Sequence, residues 1–424
     1  MDYLPRVIDS SIVRLIEDLP ATAIEGAKGV GKTATAARLA KSTVALDDED
    51  QVTLLAADRD RLTRLACPLL IDEWQYYPPV WDLVRRAVDR DPRPGQFILT
   101  GSATPVEKPR HSGAGRIVRI RMRPLSLAER QLVEPTVSLA ALLSGTTIPV
   151  EGECGLTLPD YVHEIARSGF PGLRHVPDRS IADALDGYLA EVVDRGTVHL
   201  DYGVRAPDTL RHWLAAYASA TSTTAAYTTI LNAATPGEPN KPAYTTTLAW
   251  RELLTRMWLL DPLPAWTGTR NHQADLGQAP KHHLVDPALA LRLLGLTEAS
   301  LLEQPNPDGK PILREGTLAG ALFESLVTLS VRVYAQALRA NVSHLRTRRG
   351  DHEIDLIVTR EDGKVVAIET KLTPAVTDAD VRHIAWLRDK IGNDLLDAVV
   401  VTTGTAAYRR PDGVAVIPAV LLGP

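Results

Sequence analysis

Between Ala21 and about Met122, short apolar runs alternate with helix-like segments. The runs are ATAIE, LLIDE, FILTG and IVRIRM, and a helical pattern begins at Lys32 after the first of them. Strands separated by helices in this rhythm predict a parallel α/β sheet. From about Val137 to Leu158 the pattern lapses into a loop-rich stretch with Gly145, Pro149, Gly152 and Gly155, which reads as a domain boundary. Asp160 to about Thr297 then reads as mostly helical, with short helices expected at Asp208–Ser219, Thr224–Asn232 and Thr245–Trp258. The extended LLDPLPAW and the strand-like KHHLV follow, and three helices with a β-ribbon predict a winged helix. A second break, QPNPDGKP at Gln304–Pro311, precedes a helix near Leu318–Ala337 and strands at Glu353–Thr359 and Val365–Leu372. The expected domains are therefore 1–145, 155–303 and 311–424.

The length of 424 residues, with 45% hydrophobic and 23% charged residues, suits a folded chain of two to four domains. A net charge of -5 gives no global pull toward nucleic acid, so any polyanion binding has to come from local clusters. Cys67 and Cys154 stand alone without CxxC spacing, which supports neither a disulfide framework nor a zinc site. No apolar run approaches the roughly 18 residues that cross a bilayer, and Met1–Ser10 has no signal-peptide pattern. A cytoplasmic location with no membrane partner is the expectation.

The most specific motif is GAKGVGKT, Gly26 to Thr33, set between an apolar strand and a helix. Gly26, Gly29, Val30, Gly31, Lys32, Thr33 and Ala34 are the candidate ATP-binding residues. The glycines let backbone amides curl around phosphate oxygens, Lys32 reaches the β/γ-phosphates and Thr33 offers a hydroxyl to Mg²⁺. LLIDE ends in Asp72, placed to hold the metal, and in Glu73, the candidate base for the attacking water. FILTG carries Thr100 to the same sheet edge with Ser102 just beyond it, and Ser102 is the preferred γ-phosphate sensor. In GRIVRIRMR, Arg116, Arg119, Arg121 and Arg123 alternate. Arg116 beside Gly115 is the first candidate for an arginine finger acting between copies, while a solvated basic face is the simpler reading of the row.

Together, YLPR at Tyr3–Arg6, GAKGVGKT, LLIDEWQ, ILTGSA, SGAGR and RPLSLAE resemble the prokaryotic AAA-type ATPases that carry a C-terminal domain of restriction-endonuclease-like fold. The downstream segments SGFPGL, YLAEVVDR, KHHLVDPAL, ALFESLV, GDHEIDLIV and AIETKL are similar to the second half of that family. Lys28 stands where the family usually has Arg, Gly172 where an acid is common, and Gly196 where Asp often follows the residue matching Arg195. The resemblance implies an AAA-type parallel-sheet domain, a helical or winged-helix middle and an α/β endonuclease-like end.

A three-residue loop, Glu361-Asp362-Gly363, predicts a hairpin that pairs Arg360 with Lys364. In that register Asp355 lies opposite Glu369 and Glu353 opposite Lys371, all on one face, with Ile354, Leu356, Val358, Val366, Ile368 and Leu372 on the other. The arrangement is similar to that of PD-(D/E)xK nucleases. By that likeness Asp355 and Glu369 hold a second divalent cation, Mg²⁺ or Mn²⁺, Lys371 acts on water, and Glu324 in ALFESLV matches the helical acid of the fold. A charged, solvated hairpin face with a Glu353–Lys371 ion pair is the plainer alternative. His344, Arg346, Arg348 and Arg349 lead into the first strand, either as a phosphate approach or as a solvated basic loop. Arg251 and Arg256 are the cations that the third middle helix offers to nucleic acid, DNA before RNA, or to a protein. The expected function is Mg²⁺-dependent ATP hydrolysis coupled to a nuclease-like domain; the alternative is a nucleotide-controlled binding switch that does not cut.

Overall fold

The computed structural model describes residues 3–102, 113–195, 207–235, 242–266, 268, 279–303, 312–314, 316–347 and 350–424. The break expected at Gln304–Pro311, the departure at Gly196 and the basic pair Arg348 and Arg349 lie outside them.

Strands β1 (Ala21–Glu25), β2 (Ser42–Ala45), β3 (Leu69–Asp72), β4 (Phe97–Gly101) and β5 (Ile117–Arg121) form one parallel sheet in the order β2-β3-β4-β1-β5. Four of these are the apolar runs read from sequence. STVA escaped because an edge strand is half exposed and lacks a continuous apolar run. Helix α1 (Lys32–Ala37) follows β1, and α2 (Pro79–Arg90) buries Val80, Trp81, Val84, Ala87 and Val88. The strand order sets the C-terminal ends of β1, β3 and β4 side by side, where ligands of parallel sheets bind.

The stretch read as a boundary has structure of its own. β6 (Val137–Ser138) pairs with the last strand, β16 (Leu422–Gly423), and β7 (Gly152–Glu153) pairs with β14 (Ala406–Arg409). One apolar cluster runs from Ile8 through Ile24, Leu70 and Ile98 to Val399 and Leu422. The N- and C-terminal sheets therefore share a core.

In the middle lie α3 (Leu158–Arg167), α4 (Ile181–Ala190), α5 (Pro207–Ser219), α6 (Tyr227–Ala234) and α7 (Tyr244–Arg256), the last three close to expectation. The two extended segments after them do pair: Leu260 bridges Leu284 and Leu263 bridges Lys281, both antiparallel, while Thr221 bridges His282.

A two-residue pairing of β8 (Leu302–Glu303) with β9 (Ile312–Leu313) leads to α8 (Gly316–Ala337). By length and composition α8 is apolar enough to cross a membrane, contrary to the sequence expectation, but 72% of its most apolar window is buried inside the protein. The C-terminal sheet is completed by β10 (Asn341–Arg346), β11 (Glu353–Thr359), β12 (Val365–Lys371), β13 (Leu395–Thr402) and β15 (Ala415–Pro418), in the order β10-β11-β12-β13-β15-β14-β7. Helices α8 and α9 (Asp378–Ile391) pack against this sheet.

The β11–β12 hairpin keeps the expected register, with Leu356 opposite Ile368 and Thr359 opposite Val365, and Arg360 N–H donates to the Lys364 carbonyl at 2.8 Å. The expected faces do not hold throughout. The β10–β11 ladder slips between Ser343 and Leu345, and Ile354 packs with Ile357, Val365 and Ala367 instead of with Leu356 and Val358. An irregularity of this kind turns the strand, so alternation cannot be counted across it.

The arginine row is not a uniformly solvated face. Arg121 Nη1 lies 2.7 Å from Asp261 Oδ1, Arg123 Nε 2.9 Å from Oδ2, and Arg332 Nη2 of α8 2.9 Å from Oδ1. Gln336 accepts from Arg123 and donates to the Arg121 carbonyl. Burial alone would raise the Asp261 pKa, but the three guanidinium groups hold it far below the usual carboxylate range. Asp261→Asn leaves those cations without their anion, so urea unfolding should show a loss of about 3–5 kcal/mol. Asp378→Asn, at an exposed pair with Arg410, should leave the midpoint nearly unchanged.

Candidate functional sites

At the end of β1 the chain has no room for a side chain: a Cβ on Gly26 would come within 2.1 Å of the Met122 carbonyl oxygen. Gly31, with φ +99°, turns the loop into α1 in the left-handed region that glycine favours. Val30 is buried, and its carbonyl accepts from Arg6 Nη1 at 2.8 Å; Ala34 is exposed at the start of α1. Arg6 in turn pairs with Glu129 at 3.1 Å, both nearly fully buried, which fixes the loop from behind.

Lys32 Nζ donates to the Gly26 and Ala27 carbonyls at 2.9 Å each, inside the loop's curl. Burial lowers its pKa to about 8, against the opposing pull of Glu73 and Asp72. Thr33 Oγ1 donates to Asp72 Oδ1 at 2.9 Å, and the same oxygen accepts from Thr100. Glu73 sits just past the strand at φ 52°, unusual for a residue with a Cβ. Its Oε2 accepts from Ser102 Oγ at 2.9 Å and from Gln75, whose amide also reaches Ser102 at 3.0 Å. Lys32, Thr33, Asp72, Glu73 and Ser102 are thus gathered at adjacent strand ends, as read from sequence. Gln75 was missed, although it lies two residues after the acid pair.

The middle region reaches this loop. A Cβ on Gly29 would lie 3.7 Å from the Phe170 ring and one on Gly31 3.6 Å from Pro171, while Lys28 lies 3.6 Å from Glu191. Arg116 does not face the loop's residues; it is exposed and pairs with Asp89 at 2.8 Å. The amide-lined turn, the Lys32 cation and the hard oxygens of Thr33 and Asp72 fit a polyphosphate with its Mg²⁺.

The second site is a cavity of ≈ 310 Å³ in the C-terminal half, lined by Glu324, Glu353, Asp355, Glu369, Lys371 and His383 among others. The four residues singled out from sequence there, Glu324, Asp355, Glu369 and Lys371, do converge. What lies between the acids is Lys281, from KHHLV, which sequence reading passed over. Its Nζ is 3.0 Å from Glu324 Oε1, 3.1 Å from Glu353 Oε1 and 2.9 Å from Asp355 Oδ1. Asp355 Oδ2 accepts from Thr370 N–H and Oγ1, both at 2.9 Å. The expected Glu353–Lys371 pair does not form: Lys371 lies 3.9 Å from Glu369 and 3.9 Å from Asp380. A lysine beside two histidines in the strand-like KHHLV was the available signal.

Burial works against the Lys281 ammonium, but Asp355, Glu324 and Glu353 hold its pKa above the ordinary value. Asp355, despite burial, is held at about 2 by Lys281 and Thr370. The cluster has more acids than this ammonium neutralises. Burial and Asp355 raise Glu324 to about 8, and the same two causes push Glu369, 4% exposed, well above the carboxylate range. Among the described residues no group of three or more His, Cys, Asp or Glu side chains is arranged to hold a metal ion. The expected metal held by Glu324, Asp355 and Glu369 finds no support in this arrangement.

Among the described residues, the cations expected to meet nucleic acid are engaged within the chain. Arg251 lies over the Tyr227 ring at 4.5 Å, Arg256 pairs with Glu252, and Arg346 donates to Thr224 Oγ1 at 2.8 Å. His344 is buried against the Ala279 carbonyl.

Residues 18–131 match the AAA domain family. Residues 158–300 and 319–422 match two families each described as a domain of unknown function. Uncharacterized proteins of Mycobacterium bovis and Mycobacterium tuberculosis are each 26% identical over 422 residues, covering 96% of this chain and 81% of theirs. Among solved structures, the Walker-type ATPase of Pyrococcus abyssi aligns with a TM-score of 0.40 at 15% identity, over 69% of this chain and 96% of that one. The Aeropyrum pernix ORC2 protein, in its ADPNP–ADP complexes, aligns with a TM-score of 0.33 at 15% identity, over 69% and 94%. The N-terminal part is a P-loop domain of AAA type with a parallel sheet.

Two buried histidines beside Lys281 give the fold an acid limit. Burial, then Arg332 and Lys281, lower His283 to about 3, and burial, then Lys281, lower His344 to about 4. Folded pKa values below the unfolded one mean that the unfolded chain takes up protons first as pH falls. Their stability contribution is complete above about pH 6.5 and is lost between there and the folded values. Thermal unfolding should show a falling Tm from pH 6.5 to 4.5, with a flatter profile in His344→Phe.

Proposed function

We propose that the chain binds and hydrolyses ATP with Mg²⁺ at Gly26–Thr33, and that nucleotide state governs binding by its C-terminal half. The single observation behind the first part is the meeting of Lys32, Thr33, Asp72, Glu73 and Ser102 at the ends of β1, β3 and β4. The loop amides and Lys32 would bind the phosphates, and Thr33 with Asp72 would hold the ion. Mg²⁺, when bound, offsets the negative charge between phosphoryl oxygens. Glu73 orients the attacking water and takes its proton, while Ser102 and Gln75 hold the carboxylate in place. Arg116, exposed beside Gly115, is our candidate finger for the site of a neighbouring copy.

For the C-terminal half, binding without cleavage is favoured over a nuclease, because three of its acids already share the Lys281 ammonium. The middle helices with their bridged ribbon suit a winged helix, and DNA is the partner class we propose for it. Its contacts would be salt-sensitive phosphate contacts, with Arg346 at the end of β10 the candidate cation.

Lys32→Ala should weaken ATP binding by about tenfold or more in calorimetry. Glu73→Gln should keep binding and lose about 10²-fold or more of turnover. Undiminished ATP affinity in Lys32→Ala would overturn the assignment of the loop.

A further inference from the structure

We propose that Lys281 is the resident cation of the C-terminal cavity, an ammonium carried in on the middle ribbon that locks this ribbon to the sheet and keeps divalent ions out. The proposal deepens the reading of this half as a binding module that does not cut, and it is independent of ATP hydrolysis.

The geometry is that of a filled site. An ammonium has three donors, and Lys281 Nζ has three carboxylate oxygens at 2.9, 3.0 and 3.1 Å, one each from Asp355, Glu324 and Glu353. Its side chain is 1% exposed. Both oxygens of Asp355 are committed, one to Lys281 and one to Thr370. A divalent ion drawing on Asp355 and Glu324 would sit within a few ångströms of the ammonium, where like charges repel strongly in a buried setting. The two cations therefore exclude one another. Glu369, buried beside Asp355, is held neutral by burial and by that neighbour, so it adds no charge to draw an ion past Lys281.

The lock also has a lever. Lys281 N–H donates to the Leu263 carbonyl at 3.0 Å, and the Lys281 carbonyl accepts from Leu263 N–H at 2.9 Å. Two residues before Leu263 is Asp261, fastened to Arg121 at the end of β5 and to Arg123 just past it. β5 pairs along β1, the strand that runs into the phosphate loop. A single short ribbon thus holds an anion against the nucleotide domain and a cation inside the C-terminal cavity. Withdrawal of Lys281 requires that ribbon to move.

The test uses the full chain with Asp72→Asn to remove the nucleotide-site metal position, without nucleotide, and Mn²⁺ as the probe. Calorimetry and Mn²⁺ paramagnetic resonance at pH 7.5 are compared for this background, for added Lys281→Gln, and for Lys281→Gln with Asp355→Asn. The background should take up no Mn²⁺ in the cavity to about 1 mM. Lys281→Gln should melt at a lower temperature and gain one Mn²⁺ site, at least about tenfold tighter than anything in the background, which Asp355→Asn abolishes. Lys281→Arg, which keeps a cation, should fold and gain no site. If Lys281→Gln fails to fold while Lys281→Arg folds, the charge is what the fold requires, as the lock demands. An Asp355-dependent Mn²⁺ site in the background overturns the proposal, as does a folded Lys281→Gln that binds no Mn²⁺. DNA cleavage by the wild-type chain would sink the non-cutting reading, whereas Mn²⁺ uptake without cleavage would sink the lock alone.

Discussion

Asp261 carries one negative charge in the interior, and three arginines from two distant parts of the chain are turned toward it. Taking four ionised groups out of water is tolerable only because each finds its counter-charge at hydrogen-bond distance. Arg121 and Arg123 come from the edge of the parallel sheet, Arg332 from the long C-terminal helix, and Asp261 from the ribbon between them. The relative placement of the three regions depends on this meeting, because apolar contact is not directional and the ionic geometry is.

The same device recurs wherever the regions touch. Arg6 and Glu129 brace the phosphate loop, and Arg130 and Arg174 share Glu164 behind SGFPGL. Ser330 and Tyr334 of α8 accept the Leu127 and Ala128 amide protons. Each joins residues that an isolated domain would expose. The shared apolar cluster and these pairs together explain why the chain packs as one body and why the stretch that reads as a domain boundary supplies β7 to the C-terminal sheet. For the nucleotide site the consequence is direct. Phe170, Pro171 and Glu191 stand beside the loop, which puts the middle region in direct reach of it.

Some of this was legible in the residues alone. GAKGVGKT between a strand and a helix located the phosphate loop, LLIDE located Asp72 and Glu73, and the Glu361-Asp362-Gly363 loop fixed the hairpin register. These are local facts: the spacing of a few residues sets which backbone groups curl together or which strand positions oppose. The face assignment of Ile354 failed because a slip in a neighbouring ladder is not written in the strand's own alternation. The nature of the C-terminal cavity failed for a larger reason. Lys281 meets Glu324 and Asp355 across 43 and 74 positions, and Arg121 meets Asp261 across 140. Periodicity records only which side of an element is apolar, and a charged residue in an apolar run carries no label for its partner. Sequence determined the elements and the loop that faces phosphate; tertiary structure decided which charges meet, because sheet order and helix packing alone set those distances.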